Sequence, residues 1–331
     1  MASKARHSFP WLRDVLCVVC PLLTRVCPLR RAAGAARLAA ELRSVVAARP
    51  SLTHLSLVGN SRGGLYCRYA AALALADGGA EGPPRIAGLR PVTFLTTATP
   101  HLGVGAFGYL GLVPPWLQAG VGGRALGRTI AELLLQDASQ PGVPPLLVRM
   151  AAPDGAGQPP FMRALAAFRR RIAYANAAND FLVAYETAAI LPPGGGLPPD
   201  VARSLGPLPL PALGGAPRVL HTRERPAAPL AAAAAHAEPL VDARRADRHA
   251  LQRRMASGLA THAWTETAVL FPGALPMAHN KIVALRRDPL MTWLYRDGAA
   301  VVQHTADALL AEAARAEAEE TQASTAAVSR L

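Results

Sequence analysis

The chain has few cysteines and no long apolar run near its start, and each scarcity excludes a class of protein. Its 4 cysteines among 331 residues do not make the disulfide framework of a small secreted domain. The pair Cys17 and Cys20 lacks the second pair that a structural zinc site needs, so we expect no metal. The apolar run at residues 15–23 has about half the length of a membrane-crossing helix.

Lysine is also scarce, although the chain is strongly basic. The formal net charge is +13, but every basic residue except Lys4 and Lys281 is an arginine. No basic run is interleaved with aromatic residues, and no helix-turn-helix or zinc-finger spacing occurs. We interpret the charge as a solvated, arginine-rich surface and expect no nucleic-acid partner.

The start of the chain allows two interpretations. Residues 1–40 carry seven lysines and arginines against the single acid Asp14, as in an organellar transit peptide or a poor signal sequence. Residues 15–20 are rich in β-branched side chains, and we interpret them as a core strand. The expected location is the cytoplasm or, if the disordered or targeting start at residues 1–11 is a transit peptide, a chloroplast or mitochondrion.

Strand-like and helix-like segments alternate along the chain. This alternation predicts an α/β fold, with a mostly parallel sheet flanked by helices, in one domain over residues 12–316. The predicted strands are residues 15–20, 54–59, 91–97, 170–175, 217–221 and 265–270. The predicted helices are residues 33–48, 64–76, 128–136, 161–169, 242–259 and 298–316.

Residues 101–125, 137–160 and 191–236 interrupt the alternation. Residues 101–160 contain apolar segments punctuated by glycine and proline, and they are too long for an ordinary connection. We interpret them as a lid-like insertion, with a fixed second helical layer as the alternative. Residues 191–236 are rich in proline, glycine and alanine and are expected to be a disordered insertion. Residues 317–331 are expected to be a frayed tail.

The segment from Leu55 to Leu65 carries the most information in the sequence. An apolar strand delivers Ser61 into a turn between Gly59 and Gly63, and a helical segment follows. A strand that turns directly into a helix leaves no room for side chains beside the serine, which explains the glycines. The pattern predicts the nucleophile elbow of an α/β-hydrolase, in which the serine Oγ stands above the sheet.

A nucleophilic serine needs a base and an acid, which in this fold follow it in the order Asp or Glu, then His, each after a strand. Asp180 lies after the fourth predicted strand, with Glu186 as the fallback acid. His279 follows the last predicted strand. Chain order and strand-exit placement together predict a catalytic triad of Ser61, Asp180 and His279.

Four blocks of the sequence point to a known family: residues 59–69, 97–103, 171–180 and 278–295. Together they resemble the eukaryotic putative serine esterase family of lipase-like α/β-hydrolases, over about residues 12–312. The resemblance implies the same triad of Ser61, Asp180 and His279. It also implies that His101 shapes the pocket without acting as the base.

Two departures from the family pattern bear on the oxyanion site. The family elbow reads Gly-His-Ser-Leu-Gly-Gly, whereas this chain has Asn60 and Arg62 beside the serine. The backbone N–H of Arg62 is one expected oxyanion donor. The family's other donor follows an upstream strand in a His-Gly loop, and no His-Gly pair precedes Ser61, so we expect the chain to begin inside the fold.

The main hypothesis is a serine ester hydrolase that acts on a lipid or other acyl ester through an acyl-enzyme, with no cofactor. The alternative is a catalytically silent hydrolase-fold protein that serves as a scaffold or lipid-binding module. A third interpretation, a basic nucleic-acid binder, predicts steeply salt-dependent retention on DNA or RNA. The basic surface could also make peripheral contact with an anionic membrane. The oligomeric state is left open.

Overall fold

The structure is a computed structural model, which describes residues 15–20, 31–76, 83–104, 128–138, 143–155, 157–205, 216–231, 247–273 and 276–328. The strands are β1 (Val15–Cys20), β2 (His54–Asn60), β3 (Leu75–Ala76), β4 (Arg85–Ile86), β5 (Arg90–Thr97), β6 (Arg170–Asn176), β7 (Arg218–Arg225) and β8 (Trp264–Leu270). The helices are α1 (Arg31–Ala48), α2 (Arg62–Ala74), α3 (Arg128–Leu133), α4 (Leu146–Ala151), α5 (Phe161–Ala167), α6 (Tyr185–Ala188), α7 (Pro199–Leu205), α8 (Arg248–Leu259), α9 (Ala278–Lys281), α10 (Pro289–Leu294) and α11 (Ala299–Val328). A 3₁₀ helix, Arg296–Gly298, connects α10 to α11.

Six strands form one sheet in the order β1-β2-β5-β6-β8-β7. Neighbouring strands are parallel, except that β7 runs antiparallel to β8. All seven residues of β8 are buried, as expected for an interior strand of a sheet covered on both faces. The mostly parallel sheet flanked by helices confirms the fold class predicted from the alternation.

Successive residues of the strands contribute to apolar cores on opposite faces of the sheet. Leu55 and Leu57 of β2 belong to a core with α1, α2, α4, α5 and α8. Val58 of β2 and Ile172 and Tyr174 of β6 belong to another core with α9 and α11. Because alternate residues of a strand point to opposite faces, helices cover both sides. The carboxyl ends of the parallel strands meet at one edge.

The six predicted strands and six predicted helices are all present within the described residues, with shifted ends. Helix α2 ends at Ala74, two residues before the predicted end, because Leu75 is extended and pairs with Ile86 of β4. Five short helices were not predicted: α4, α6, α7, α9 and α10. Among the described residues, no helix is long and apolar enough to cross a membrane.

The expectation of disorder across residues 191–236 is wrong for part of that stretch. Helix α7 and strand β7 both lie within it. Val201 of α7 is buried and packs in a small core with Leu220 of β7. Pairing with the buried strand β8 orders a segment whose own composition could not. Residues 206–215 and 232–236 lie outside the described residues.

The tail that was expected to fray from residue 317 is also different, because α11 continues as a helix to Val328. Its glutamates pair with arginines at the amino ends of two strands: Glu320 with Arg90 and Glu319 with Arg169. These ion pairs supply contacts that composition alone does not reveal. The described part of the tail, as far as Glu320, therefore lies across the amino edge of the sheet.

The insertion at residues 101–160 falls into described and undescribed parts. Residues 105–127, 139–142 and 156 lie outside the described residues, and so does the start at residues 1–11. Leu147 and Met150 of α4 are fully buried in the main core. That part of the insertion packs into the core, and the choice between a lid and a fixed helical layer stays a prediction.

Candidate active site

Ser61 stands in a sharp turn between the end of β2 and the start of α2. Its backbone angles are φ 52° and ψ −130°, a combination that residues with a side chain rarely adopt. Its N–H donates to the Thr97 carbonyl at 2.8 Å, and the Thr99 hydroxyl donates to the Ser61 carbonyl at 2.8 Å. Asn60 Nδ2 also donates to Thr97 Oγ1, at 3.1 Å. These bonds hold the strained turn against the end of β5.

Gly59 and Gly64 lie against each other where β2 meets α2. A Cβ on Gly59 would lie 2.3 Å from Gly64 Cα, and a Cβ on Gly64 would lie 2.3 Å from Thr99 Oγ1. Both distances are far below van der Waals contact, so only glycine fits. The sequence pattern predicts a steric role for Gly59 and Gly63 but assigns none to Gly64, for which the adjacent Gly63-Gly64 pair was the available signal.

Asp180 lies on the loop after β6, and both of its carboxylate oxygens are hydrogen-bonded. Oδ1 accepts the N–H groups of Leu182 at 3.0 Å and Val183 at 2.9 Å. Oδ2 accepts from Asn176 Nδ2 at 2.8 Å. The Asp180 side chain is only 2% exposed, so these donors offset its desolvation and fix its orientation.

His279 lies in α9, on the loop after β8, between the other two residues. Its Nδ1 is 3.1 Å from Asp180 Oδ2, and its Nε2 is 2.9 Å from Ser61 Oγ. The structure thus brings the three residues of the predicted triad together. Within the described part of the chain, Asp180 rather than Glu186 is the carboxylate at hydrogen-bond distance from the imidazole. Such an arrangement can transfer a proton from the serine hydroxyl to the imidazole.

Asn179 joins the loop that carries the acid to the loop that carries the base. Its Nδ2 donates to the carbonyls of Phe271 and Gly273, both at 2.9 Å. Its own carbonyl accepts the Ala278 N–H at 3.0 Å. Its φ is 63°, in the left-handed region that asparagine tolerates better than most residues. Asn179 and Asn176 were noted in the sequence as motif residues, but no role was assigned to either.

Arg62 is the first residue of α2, directly after Ser61. The first N–H groups of a helix have no acceptor within the helix and carry the positive end of its dipole. Because α2 is 13 residues long, its N-terminus favours negative charge beside Ser61. The Arg62 N–H, the oxyanion donor implied by the family resemblance, belongs to this group.

His101 is fully buried away from this hydrogen-bonded series. Its Nε2 is 3.1 Å from Thr96 Oγ1, and its ring packs edge-to-face on Trp264 with centroids 5.6 Å apart. Burial first, and then the charges of Arg68 and Arg225, lower the pKa of His101 well below its usual value. The ring is therefore neutral and packed in the core, and its role in shaping the pocket stays a prediction.

Comparisons with known proteins indicate the same class of protein as this geometry does. Residues 32–190 match the family model described as Putative serine esterase (DUF676), which confirms the resemblance over a segment containing Ser61 and Asp180. A protein of Schizosaccharomyces pombe named Putative lipase C4A8.10 is 32% identical to this chain over 142 residues. That match covers 43% of this chain and 17% of the yeast protein. No solved structure matches the chain.

Proposed function

We propose that the chain is a serine ester hydrolase that acts on a lipid or other acyl ester through an acyl-enzyme. The observation that carries the proposal is the hydrogen-bonded series from Asp180 through His279 to Ser61, with distances of 3.1 and 2.9 Å. The series ends on a serine in a strained elbow, the position of the nucleophile in α/β-hydrolases. The serine esterase family match and the yeast protein named a lipase support the reaction class and a lipid substrate.

In the proposed acylation, Ser61 Oγ bonds to the ester carbonyl carbon while His279 Nε2 takes the hydroxyl proton. The carbonyl electron pair moves onto oxygen, and the Arg62 N–H and the N-terminus of α2 stabilise the resulting oxyanion. When the oxyanion collapses, the bond to the alcohol oxygen breaks and His279 gives its proton to that oxygen. The alcohol leaves, and the acyl group stays on Ser61.

Deacylation uses the same groups with water in place of the alcohol. His279 takes a proton from the water, whose oxygen bonds to the acyl carbon, and the oxyanion forms again at the same donors. Collapse returns the proton to Ser61 Oγ and releases the acid. Throughout, Asp180 keeps the Nδ1–H of His279 in place and stabilises the imidazolium, and its orientation is fixed by the N–H donors of Leu182 and Val183.

A second oxyanion donor would have to approach the elbow from a neighbouring segment. Strand β1 runs parallel to β2, and its last residue, Cys20, pairs with Gly59, two residues before the nucleophile. The chain therefore leaves β1 beside the elbow. Residues 21–30 lie outside the described residues, and we assign only the Arg62 N–H as a donor.

Covalent labelling of the purified full chain with a fluorophosphonate probe tests the proposal. We expect the unchanged chain to be labelled and to hydrolyse a short-chain p-nitrophenyl ester, whereas Ser61→Ala should abolish labelling and lower kcat by about 10⁶-fold. Ser56→Ala is the matched control, because Ser56 lies on β2, the strand that leads to Ser61, is buried and is not part of the hydrogen-bonded series.

Two outcomes would contradict the proposal. If the chain is folded, as judged by its circular dichroism spectrum, but is not labelled by the probe, the catalytically silent scaffold or lipid-binding module becomes the better interpretation. If ester turnover survives Ser61→Ala at the same rate, another nucleophile carries the reaction.

A further inference from the structure

A basic surface with exposed apolar side chains follows the helix that carries His279. We name it the α10 surface and define it by Arg286, Arg287, Leu290, Trp293 and Arg296. Leu290 is 65% exposed and Trp293 is 60% exposed, and the three arginines are exposed as well. The Arg296 guanidinium lies over the Trp293 ring, 5.0 Å from its centroid.

Two acidic side chains lie close to the α10 surface, and one of them, Asp297, is shared between Lys281 and Arg296, so the surface stays positive. Asp288 caps α10, with Oδ1 accepting the Met291 N–H at 2.9 Å. Asp297 is only half-buried, but its Oδ2 is 3.5 Å from Lys281 Nζ, and its Oδ1 is 3.8 Å from Arg296 Nε. Three exposed arginines thus stand beside one exposed acid, the helix cap.

This combination of side chains is better suited to the headgroup region of a bilayer than to bulk water. Tryptophan favours the membrane–water interface, and leucine on a short amphipathic helix can enter the acyl boundary. Arginine binds phosphate with a planar fork of donors. A single exposed leucine would mean nothing, but Leu290 and Trp293 lie three residues apart on one helix, beside the cations.

We propose that the α10 surface docks the protein on a membrane that contains anionic phospholipid. The occupant follows from charge complementarity, since the surface joins three cations to apolar side chains and a bilayer offers phosphates above acyl chains. The proposal goes beyond the hydrolase function and does not depend on it.

The α10 surface is firmly joined to the helix that carries His279. Asn280 Nδ2 donates to Tyr295 Oη at 3.2 Å, and Tyr295 directly precedes Arg296, the last residue of the surface. Lys281 also approaches Gly298 so closely that a Cβ there would lie 1.7 Å from the Lys281 carbonyl oxygen. A membrane on this surface would therefore contact a segment that packs directly against α9, the helix of His279.

Cosedimentation of the full chain with lipid vesicles tests the proposal. We expect binding to phosphatidylcholine–phosphatidylserine vesicles to exceed binding to pure phosphatidylcholine vesicles by about tenfold or more, and to weaken as salt is added. The double variant Arg286→Gln/Arg287→Gln should weaken binding to the anionic vesicles by about tenfold or more. Trp293→Ala should weaken it by about tenfold.

Matched controls separate this surface from the overall positive charge. Arg203→Gln/Arg218→Gln removes the same charge from exposed positions on α7 and β7, and it should keep binding within about twofold. Leu290→Ala should weaken binding, whereas Leu230→Ala, at a leucine that is 75% exposed, should not. Melting temperatures check that each variant is folded.

Several outcomes would overturn the proposal. These are equal binding to both kinds of vesicle, retained binding by a folded Arg286→Gln/Arg287→Gln variant, or an equal loss in the Arg203→Gln/Arg218→Gln control. Binding to soluble polyglutamate without binding to vesicles would instead assign the surface to an acidic protein. Ser61→Ala should bind vesicles like the unchanged chain, so that failure of the hydrolase proposal and failure of this one can be told apart.

Discussion

The carboxyl edge and the amino edge of the parallel sheet are stabilised by different kinds of interaction. At the carboxyl edge, the side chains of Asp180 and His279 are 2% and 6% exposed, and a hydrogen bond of 3.1 Å joins them. At the amino edge, the side chains of Glu319 and Glu320 on α11 are 62% and 38% exposed. They are joined by ion pairs to arginines near the starts of β5 and β6.

The two edges differ more in how accurately their polar partners must be placed than in how much stability those partners contribute. A buried carboxylate must have all its hydrogen-bond partners in place, because each lost partner leaves a desolvated charge. Exposed ion pairs contribute little and tolerate change, because water replaces a lost partner. We therefore expect substitutions at the carboxyl edge to change activity steeply, and substitutions at the amino edge to change stability slightly.

After Ser61→Ala, the largest effect should come from Asp180→Asn. The amide would offer N–H to His279 Nδ1 and favour the tautomer whose Nε2 carries a proton, so that Nε2 could no longer accept one from Ser61. We expect kcat for a p-nitrophenyl ester to fall by about 10⁴-fold with little change in fold. Glu186→Gln is the control and should stay within about twofold of the unchanged chain. A similar fall of kcat in both variants would contradict the assignment of Asp180 as the acid of the triad.

Gly64→Ala should act next most strongly. The added Cβ would lie 2.3 Å from Thr99 Oγ1, so α2 must move away from β5 and shift the elbow. We expect kcat to fall by about 10²-fold and the free energy of unfolding to fall by about 1–3 kcal/mol. Gly155→Ala, where the nearest atom would be 3.8 Å away, should change neither. Full activity in Gly64→Ala would mean that the glycine contact does not set the elbow.

Substitution of Asn179 separates the two contributions of this residue. Asn179→Gly keeps the left-handed backbone but removes the donors to Phe271 and Gly273, and should lower the free energy of unfolding by about 1–2 kcal/mol. Asn179→Ala adds about 1 kcal/mol of backbone strain to that loss. Denaturant titration measures both variants, and kcat should fall by about tenfold. If both variants are as stable as the unchanged chain, the hydrogen bonds of Asn179 do not join the two loops.

The smallest effect should come from Glu319→Gln at the amino edge. The hydrogen bond from Arg169 lowers the pKa of Glu319 in the folded protein. The pair therefore stabilises the fold above the pKa of the free carboxyl, and this stabilisation is lost as pH falls from about 4.3 through the lowered pKa.

At neutral pH we expect Glu319→Gln to lower the melting temperature by no more than about 2 °C. The difference from the unchanged chain should vanish in acid or in high salt. A difference that persists in acid would show that the contact is not ionic. A loss as large as that expected for Gly64→Ala would erase the contrast between the two edges.

The sequence predicts the sheet well, because its interior strands are apolar runs bounded by turns. It predicts β7 only in part, at residues 217–221, because that strand mixes charged and apolar residues and is ordered by its pairing with β8. The short helices α4, α6, α7, α9 and α10 have four to seven residues. That length is too short for an apolar period to be recognised.

The placement of Ser61, Asp180 and His279 follows from chain order and strand exits, since parallel strands end at the same edge. The contacts of Asn179 do not follow in this way, because its donors reach carbonyls 92 and 94 residues away. Only the pairing of β6 with β8 brings those loops together. The steric role of Gly64 could not be predicted from the sequence, because the residue that it contacts, Thr99, lies on a different strand-exit loop.

Strand β7 has a consequence for how the protein behaves at high concentration. It ends the described sheet on the side opposite β1, and its eight residues include Arg218, Arg223, Glu224 and Arg225. An edge strand exposes backbone donors and acceptors that could pair with a strand of another molecule. Arg218 and Glu224 are exposed on this strand, and charged side chains on an edge strand oppose such pairing, because a neighbouring copy would desolvate them. The charged residues of β7 thus disfavour pairing of this edge with another copy of the chain.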